Sequence, residues 1–423
     1  MGLGGVDLVV VGRALVGGSL VEAAVAVENG RIVGVTSPAL APPAEEVVEL
    51  GAKRLLLPGM VDLHVHMREP GLEHKEDWRT GSMAAARGGV TCVFDMPNNK
   101  PPTNTCERVR EKISRARSKS LVDFGVYAGY NPQPAELERC SSEFFGFKLY
   151  PDDLYSSGAE EVFRLAAKLR KPVFVHAEDP SRFRPSPLHS EARPPEAELS
   201  AARRAVGLAA LTGAWLHLTH VSTAAVLREA SAARVALDIT LDATPHHALL
   251  NESLYRGPLA SIARVNPPLR GEEDREAVYE SLRKGVVDAV VTDHAPHQLE
   301  EKLSQDPPPG FPGLELALHL LLREVLEGRM PLGVLELYSS RPAALAGLRK
   351  GRIAPGFDAD LVVVEMREWV VKGSELVSKA KYTPFEGVKL RTATAATYVR
   401  GQLVYREGVF AEKAVGMLVS GGG

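Results

Sequence analysis

Met60-Val-Asp-Leu-His-Val-His66 is the stretch on which the fold turns. It is an apolar run interrupted by one acid and ending on two histidines, the pattern of a strand buried on both faces. Side chains on a strand repeat every second residue, so His64 and His66 point the same way at its end. Runs of the same kind recur at Val90–Met96, Val122–Ala128, Phe145–Tyr150, Val173–His176, Trp215–His220, Val235–Leu241 and Val286–Thr292. Helical patterns lie between most of them, among them Cys106–Ser118, Ala159–Leu169 and Arg275–Lys284. About eight β–α units over ~290 residues are the expectation for an α/β fold of the (β/α)8 barrel type. The alternative is an open doubly wound sheet, and it is disfavoured because no G-x-G-x-x-G follows a first strand.

The two ends of the chain read differently. Asp7–Val11, Ala23–Glu28 and Arg31–Thr36 are strand-like, and Asn29-Gly30 is a hairpin signal. From Gly351 onward the same texture returns in Asp360–Val364, Ala396–Arg400 and Gln402–Tyr405. Residues 1–57 and 351–423 are therefore expected to build one small β-sandwich domain, with residues 58–350 forming the barrel. The long Pro/Arg/Ser-rich loop from Asp179 to Pro195 is either functional or mobile.

Composition narrows the classes. The 423 residues are 45% hydrophobic and 24% charged, with a formal net charge of −3. That balance gives no electrostatic reason to expect nucleic acid or an anionic membrane as partner. No apolar run reaches the ~20 residues of a membrane-spanning helix. The N-terminus, Met1 to Gly5 and then Asp7 to Val11, lacks a basic segment and a cleavage site and reads as mature protein. Cys92, Cys106 and Cys140 are the three cysteines, and none forms a C-x-x-C pair. The expectation is no disulfide framework and a reducing cytoplasm.

In a (β/α)8 barrel, chemistry belongs at the C-terminal ends of the strands. His64 and His66 end the first strand, Lys148 lies near the end of the fourth, His176 ends the fifth, His220 ends the sixth, and Asp293 follows the eighth. A single strand histidine is more often structural than ligating. Four imidazoles, a carboxylate and a lysine at matching strand ends point instead to a transition-metal site, with zinc the best fit.

These residues sit in motifs that resemble the dihydroorotases of the amidohydrolase superfamily. The motifs are Pro58-Gly-Met-Val-Asp-Leu-His-Val-His-Met-Arg-Glu-Pro-Gly71 with Lys75-Glu-Asp77, Asp95-Met-Pro-Asn-Asn-Lys-Pro-Pro-Thr103, Val265-Asn-Pro-Pro-Leu-Arg270 and Thr292-Asp-His-Ala-Pro-His297. Phe147-Lys-Leu-Tyr150, Glu300-Glu-Lys302 and Pro307-Pro-Pro-Gly-Phe-Pro-Gly-Leu-Glu315 are most similar to the dihydroorotase domain of the animal multifunctional pyrimidine protein. The resemblance implies a TIM-like metal-dependent hydrolase barrel with two zinc ions per subunit. His64, His66 and Asp293 would hold one ion and His176 and His220 the other. Lys148, carboxylated on its amine, would bridge them, and Asp242 is a weaker candidate ligand for a further ion.

For substrate, the resemblance implies that Arg68, Asn98 and His297 grip a ring carboxylate. Asn266 and the Pro309–Gly310 backbone would meet the ring amides, and Asp293 would be the general base and acid. Relatives carry a Thr-Phe pair six and seven positions after the lysine on a closing loop. Here those positions are Leu154 and Tyr155, so the phenol of Tyr155 is the expected replacement for the missing hydroxyl. His246 and His247 receive no role.

The implied reaction is the reversible interconversion of dihydroorotate and N-carbamoyl-L-aspartate. Allantoinase and hydantoinase/dihydropyrimidinase chemistry are the near alternatives, because they would use the same metals. A non-catalytic scaffold for aspartate transcarbamoylase and a metal-binding barrel of other specificity are the remaining ones. Self-association and association with aspartate transcarbamoylase stay open at this point.

Overall fold

The computed structural model describes residues 5–419 and closes eight parallel strands into a ring. In order they are Met60–Val65, Val90–Asp95, Asp123–Val126 continued beyond Tyr127 by Ala128–Gly129, Phe147–Leu149, Val173–Val175, Leu216–Leu218, Ile239–Ala243 and Ala289–Val290. Each pairs in parallel with the next. The ring closes where Val65 bridges His294 and the His66 amide donates to the His294 carbonyl at 2.8 Å. Every residue of the first two strands is buried, as expected when helices cover one face of a strand and the barrel interior the other.

The interior is packed solid. Phe94, Tyr127, Phe145 and Phe174 fill it, with ring centroids 4.9 Å apart for Phe94–Phe145 and 4.8 Å for Tyr127–Phe174. The Tyr127 hydroxyl donates to the Leu63 carbonyl at 2.8 Å. A plugged barrel leaves room for chemistry only at its mouth. Outside the ring, helices turn apolar faces inward, as Ala159–Leu169 does with Val162, Phe163 and Ala166.

Both chain ends share one nine-stranded sheet. Val6–Val16, Ser19–Glu28, Arg31–Thr36, Ala44–Glu49 and Arg54–Pro58 come from the first part of the chain. Leu361–Val370, Lys389–Val399, Gln402–Arg406 and Val409–Phe410 come from the last. The halves meet where Arg54–Pro58 runs antiparallel to Leu361–Val370. Glu28 pairs with Arg31 across Asn29 and Gly30, whose φ angles of 51° and 77° are the left-handed pair that a tight hairpin requires. The sheet has its own apolar cluster, which includes Val10, Val25, Leu56, Leu361 and Tyr398.

Two expectations need correction. The seventh strand is Ile239–Ala243 rather than Val235–Leu241: Val235 is 89% exposed, just beyond the helix Ala224–Ala233. Asp242 therefore lies inside the strand and is fully buried. Secondly, Cys106 and Cys140 form a disulfide across 34 positions, and Cys92 alone is a free, buried thiol. The first residue of the helix Cys106–Lys119 packs against the segment Pro134–Glu143, a tertiary proximity that spacing does not reveal. The inference of a reducing compartment from the cysteines loses its basis. Residues 1–4 and 420–423, which the sequence assigns to the mature N-terminus and the β-domain, lie outside the described residues. Among those described, no helix is long and apolar enough to cross a membrane.

Candidate metal centre and substrate cavity

The strand ends converge as their positions require. Nε2 of His64 and Nε2 of His66 lie 3.3 and 3.1 Å from Oδ1 of Asp293, and the potential ligand atoms of the three fall within 4.8 Å of one another. The His64 ring is 5.1 Å from that of His220, which is 4.5 Å from that of His176. Lys148 is fully buried and donates from Nζ to Thr219 Oγ1 at 3.0 Å. His220 and Asp293 have φ angles of 40° and 46°, and Arg68 has 63°. Three non-glycine residues of one site thus occupy the left-handed region, an arrangement that costs on the order of 1–3 kcal/mol each and concentrates at functional sites.

The donor set fits divalent metal. Nδ1 of His64 and Nδ1 of His220 are buried without a protein partner, an expensive state for a polar atom. Burial, reinforced by Lys148 and by neighbouring imidazoles, pushes His64 and His220 well below the usual histidine range, so both rings are neutral, as ligands must be. Burial likewise draws the Lys148 amine down and pushes the Asp293 carboxyl up, the latter opposed by Lys148, His176 and Arg68.

Beneath this cluster lies a supporting layer. Glu178 accepts from His176 Nε2 at 2.6 Å and from both Nε and Nη2 of Arg193, at 3.0 and 2.6 Å. Nε2 being taken, Nδ1 is the nitrogen His176 has left for a cation, and a carboxylate behind a ligating imidazole is the usual way of fixing its tautomer. Asp242 is engaged on both oxygens: Oδ2 lies 2.8 Å from His217 Nε2, and Oδ1 accepts the His220 amide. It props the His220 turn. His217, stacked on Phe174 with centroids 4.0 Å apart, was not anticipated, although the alternation Leu216-His-Leu218 already turns it away from its apolar neighbours.

A cavity of about 290 Å³ opens onto the cluster and is also lined by Arg68, Asn98, Tyr150, Arg193, Asn266, His297, Pro309 and Gly310. Arg68, 7% exposed, donates from Nε to the Pro296 carbonyl at 3.0 Å and sets Nη2 3.2 Å from His297 Nε2. Burial together with the Arg68 and Lys75 charges pushes His297 down to about 2, so it is a neutral neighbour to that guanidinium. Its nitrogens lie 3.0 Å from Lys75 Nζ and 3.1 Å from the Pro309 carbonyl. Asn98 Oδ1 meets His66 Nδ1 at 2.7 Å, which couples the cavity wall to a candidate ligand. A Cβ on Gly310, where φ is 124°, would fall 2.6 Å from the Ala295 carbonyl oxygen, so only glycine lets this backbone line the cavity.

The long loop after the fifth strand contributes to the rim. His189 Nε2 reaches Asn266 Oδ1 at 2.9 Å, and Arg193 lines the cavity itself. Of its two readings, the functional one fits this placement. Tyr155 does not come to the cavity. Leu154 is buried in the short helix Pro151–Leu154, while Tyr155 is 37% exposed and packs its ring under the Arg204 guanidinium, 4.9 Å away. His247 bonds Thr244 and the Pro267 carbonyl, at 2.8 and 2.9 Å, and buttresses the mouth. Tyr150, Glu178, Arg193 and His217 are the site residues that sequence reasoning missed. Glu178 and Arg193 lie two residues after a candidate ligand and inside the loop already singled out.

The chain is similar to known proteins over most of its length. The amidohydrolase family profile matches residues 55–404. The chain is 41% identical over 382 residues to a dihydroorotase of Halobacterium salinarum, covering 85% of this chain and 89% of that one. It is 38% identical to a dihydroorotase of Methanothermobacter thermautotrophicus, covering 91% of each. Among solved structures it resembles the L-hydantoinase (dihydropyrimidinase) of Arthrobacter aurescens, with a TM-score of 0.91 at 26% identity over 98% of this chain and 100% of that one. The chain belongs to the amidohydrolase family and, within it, to the dihydroorotases.

Proposed function

We propose that this enzyme interconverts (S)-dihydroorotate and N-carbamoyl-L-aspartate, a step of pyrimidine biosynthesis. The observation that carries the reading is the buried Arg68 guanidinium in the same cavity as the metal cluster. A fixed, buried cation facing a cavity calls for an anionic substrate, and a planar fork of donors suits a carboxylate. Dihydroorotate carries that carboxylate, whereas dihydrouracil and hydantoin do not.

In this reading residues 58–350 are the catalytic barrel, and residues 1–57 with 351–423 are a β-sandwich domain. His64, His66 and Asp293 would hold one zinc and His176 and His220 a second, with carboxylated Lys148 as the ligand shared by both. A lysine drawn toward its neutral form by burial is suited to carboxylation, because the neutral amine is the form that adds carbon dioxide. When bound, such a pair supplies Lewis acidity and a hydroxide at neutral pH. Arg68 and Asn98 orient the ring through its carboxylate, with His297 holding Arg68. Asn266 and the Pro309–Gly310 backbone face the ring amides.

In hydrolysis a C–O bond forms at the amide carbonyl and the ring C–N bond breaks. Asp293 takes the proton of the attacking water and returns it to the departing ring nitrogen. Ring closure reverses these transfers, consumes a proton overall and is favoured by lower pH. A cytoplasmic setting rests on the resemblance alone. Self-association belongs to this reading, and an aspartate transcarbamoylase partner does not.

The test is turnover of dihydroorotate against allantoin, hydantoin and dihydrouracil, repeated with Arg68→Met. The variant should keep its metal and lose about 2–4 kcal/mol of transition-state binding, read as kcat/KM for dihydroorotate. Preference of the wild type for dihydrouracil, or loss of zinc from the variant, would overturn the substrate assignment.

A further inference from the structure

After the fourth strand, Leu154 is buried in the short helix Pro151–Leu154, and Tyr155 turns its ring to Arg204, away from the cavity. A different tyrosine lines the cavity. Tyr150 follows Lys148 by two positions, just past the end of the fourth strand. It lines the cavity together with His64, Arg68 and Asp293. Its ring centroid is 5.4 Å from Lys148 Nζ, which sets the ring beside the middle of the metal cluster. The hydroxyl oxygen is out of reach of solvent and has no hydrogen-bond partner.

That last observation needs an explanation. Tyrosine hydroxyls buried in a protein nearly always find a partner, and one left without costs on the order of 1–3 kcal/mol. None of the nearby donors of the wall turns to it: Arg68 bonds Pro296 and His297, Asn98 bonds His66, and Asn266 bonds His189. Asp293 and Arg68 line the same cavity as Tyr150. Asp293 marks the reacting end of the cavity, since it belongs to the cluster with His64 and His66.

We propose that the Tyr150 hydroxyl donates a hydrogen bond to the oxygen of the scissile ring carbonyl, a bond that strengthens as negative charge gathers there. The phenol acts only as a hydrogen-bond donor, and its proton stays on Tyr150 throughout. The proposal rests on the amidohydrolase reading of the cavity. It adds a catalytic residue just past the end of the fourth strand.

Tyr150→Phe tests it, because the substitution removes one oxygen and keeps the ring. The variant should lose about a hundred- to a thousandfold in kcat, the range for a single oxyanion donor. KM for dihydroorotate and the inhibition constant of orotate should stay within about threefold. Zinc content and thermal midpoint should match wild type, and Tyr155→Phe should turn over at the wild-type rate. Wild-type kcat in Tyr150→Phe, or a loss confined to KM and orotate binding, would overturn the donor role. If the wild-type enzyme ignores dihydroorotate, the substrate assignment fails by itself. The same kcat ratio is then read on whichever cyclic amide it does open.

Discussion

Lys148 is the residue at which local pattern and site chemistry meet. On its own it is a lysine in an apolar strand, where a surface reading is natural. Full burial beside Thr219 and among four imidazoles removes that reading, since an ammonium in such a place would be opposed by desolvation. If it is the bridging group, Lys148→Ala should lose metal and activity together, by elemental analysis and by turnover. Short carboxylic acids added to the variant should return part of both. Full zinc occupancy in Lys148→Ala, with an unchanged circular dichroism spectrum, would remove the bridge. The histidine and aspartate positions were legible because barrel strands end where they occur, and polar ligand types stand out against Val, Leu and Phe. Tyr150 was not legible: an aromatic residue at a strand end usually signifies core, and only its unpartnered hydroxyl and its place in the cavity lining tell otherwise.

At the scale of elements, helices and strands with strong patterns came through and tertiary pairings did not. The helix Ala159–Leu169 has the same bounds in sequence and structure, because its apolar positions fall on one face. The seventh strand shifted because Val235-Ala-Leu237 is as apolar as a strand, yet the preceding helix runs on into a turn there. That shift decided the reading of Asp242, which became a support under His220 once placed inside the strand. The disulfide makes a testable statement at this scale. It ties the helix Cys106–Lys119 to the segment Pro134–Glu143, and closing such a loop stabilises a protein by about 2–4 kcal/mol. Thiol titration of unreduced, unfolded protein should find Cys92 alone. Replacing Cys106 and Cys140 by serine should lower the thermal midpoint by a few degrees and leave kcat unchanged, since neither residue lines the cavity. Three titratable thiols in the aerobically purified protein would contradict the pairing.

At the scale of the molecule, the question is what holds the terminal sheet to the barrel. That both ends of the chain build one sheet followed from their shared strand texture, but the fastening did not, because it joins charges far apart in sequence. Lys350 Nζ sits 2.6 Å from Asp123, 3.0 Å from Asp358 and 2.9 Å from Asp360, and the lysine is 2% exposed. Arg400 pairs with Asp123 as well, and its amide donates to Asp360 at 2.9 Å. Asp123 opens the third barrel strand, while Asp360 and Arg400 flank the strands Leu361–Val370 and Lys389–Val399 of the sheet. The cluster thus pins the start of a barrel strand, opposite the catalytic mouth, to the sheet formed by the chain ends. Three carboxylates around one buried ammonium tolerate its loss poorly, because breaking a buried ion pair from one side costs about 3–5 kcal/mol. Lys350→Met should therefore lower the thermal midpoint markedly. Below that midpoint kcat, KM and zinc content should be those of the wild type, because no member of the cluster reaches the cavity. Adding Asp360→Asn to Lys350→Met should recover part of the loss by removing one uncompensated charge, and the two changes should not be additive. A Lys350→Met enzyme as stable as wild type would show that the sheet is held by apolar packing alone, with the ion cluster a passenger.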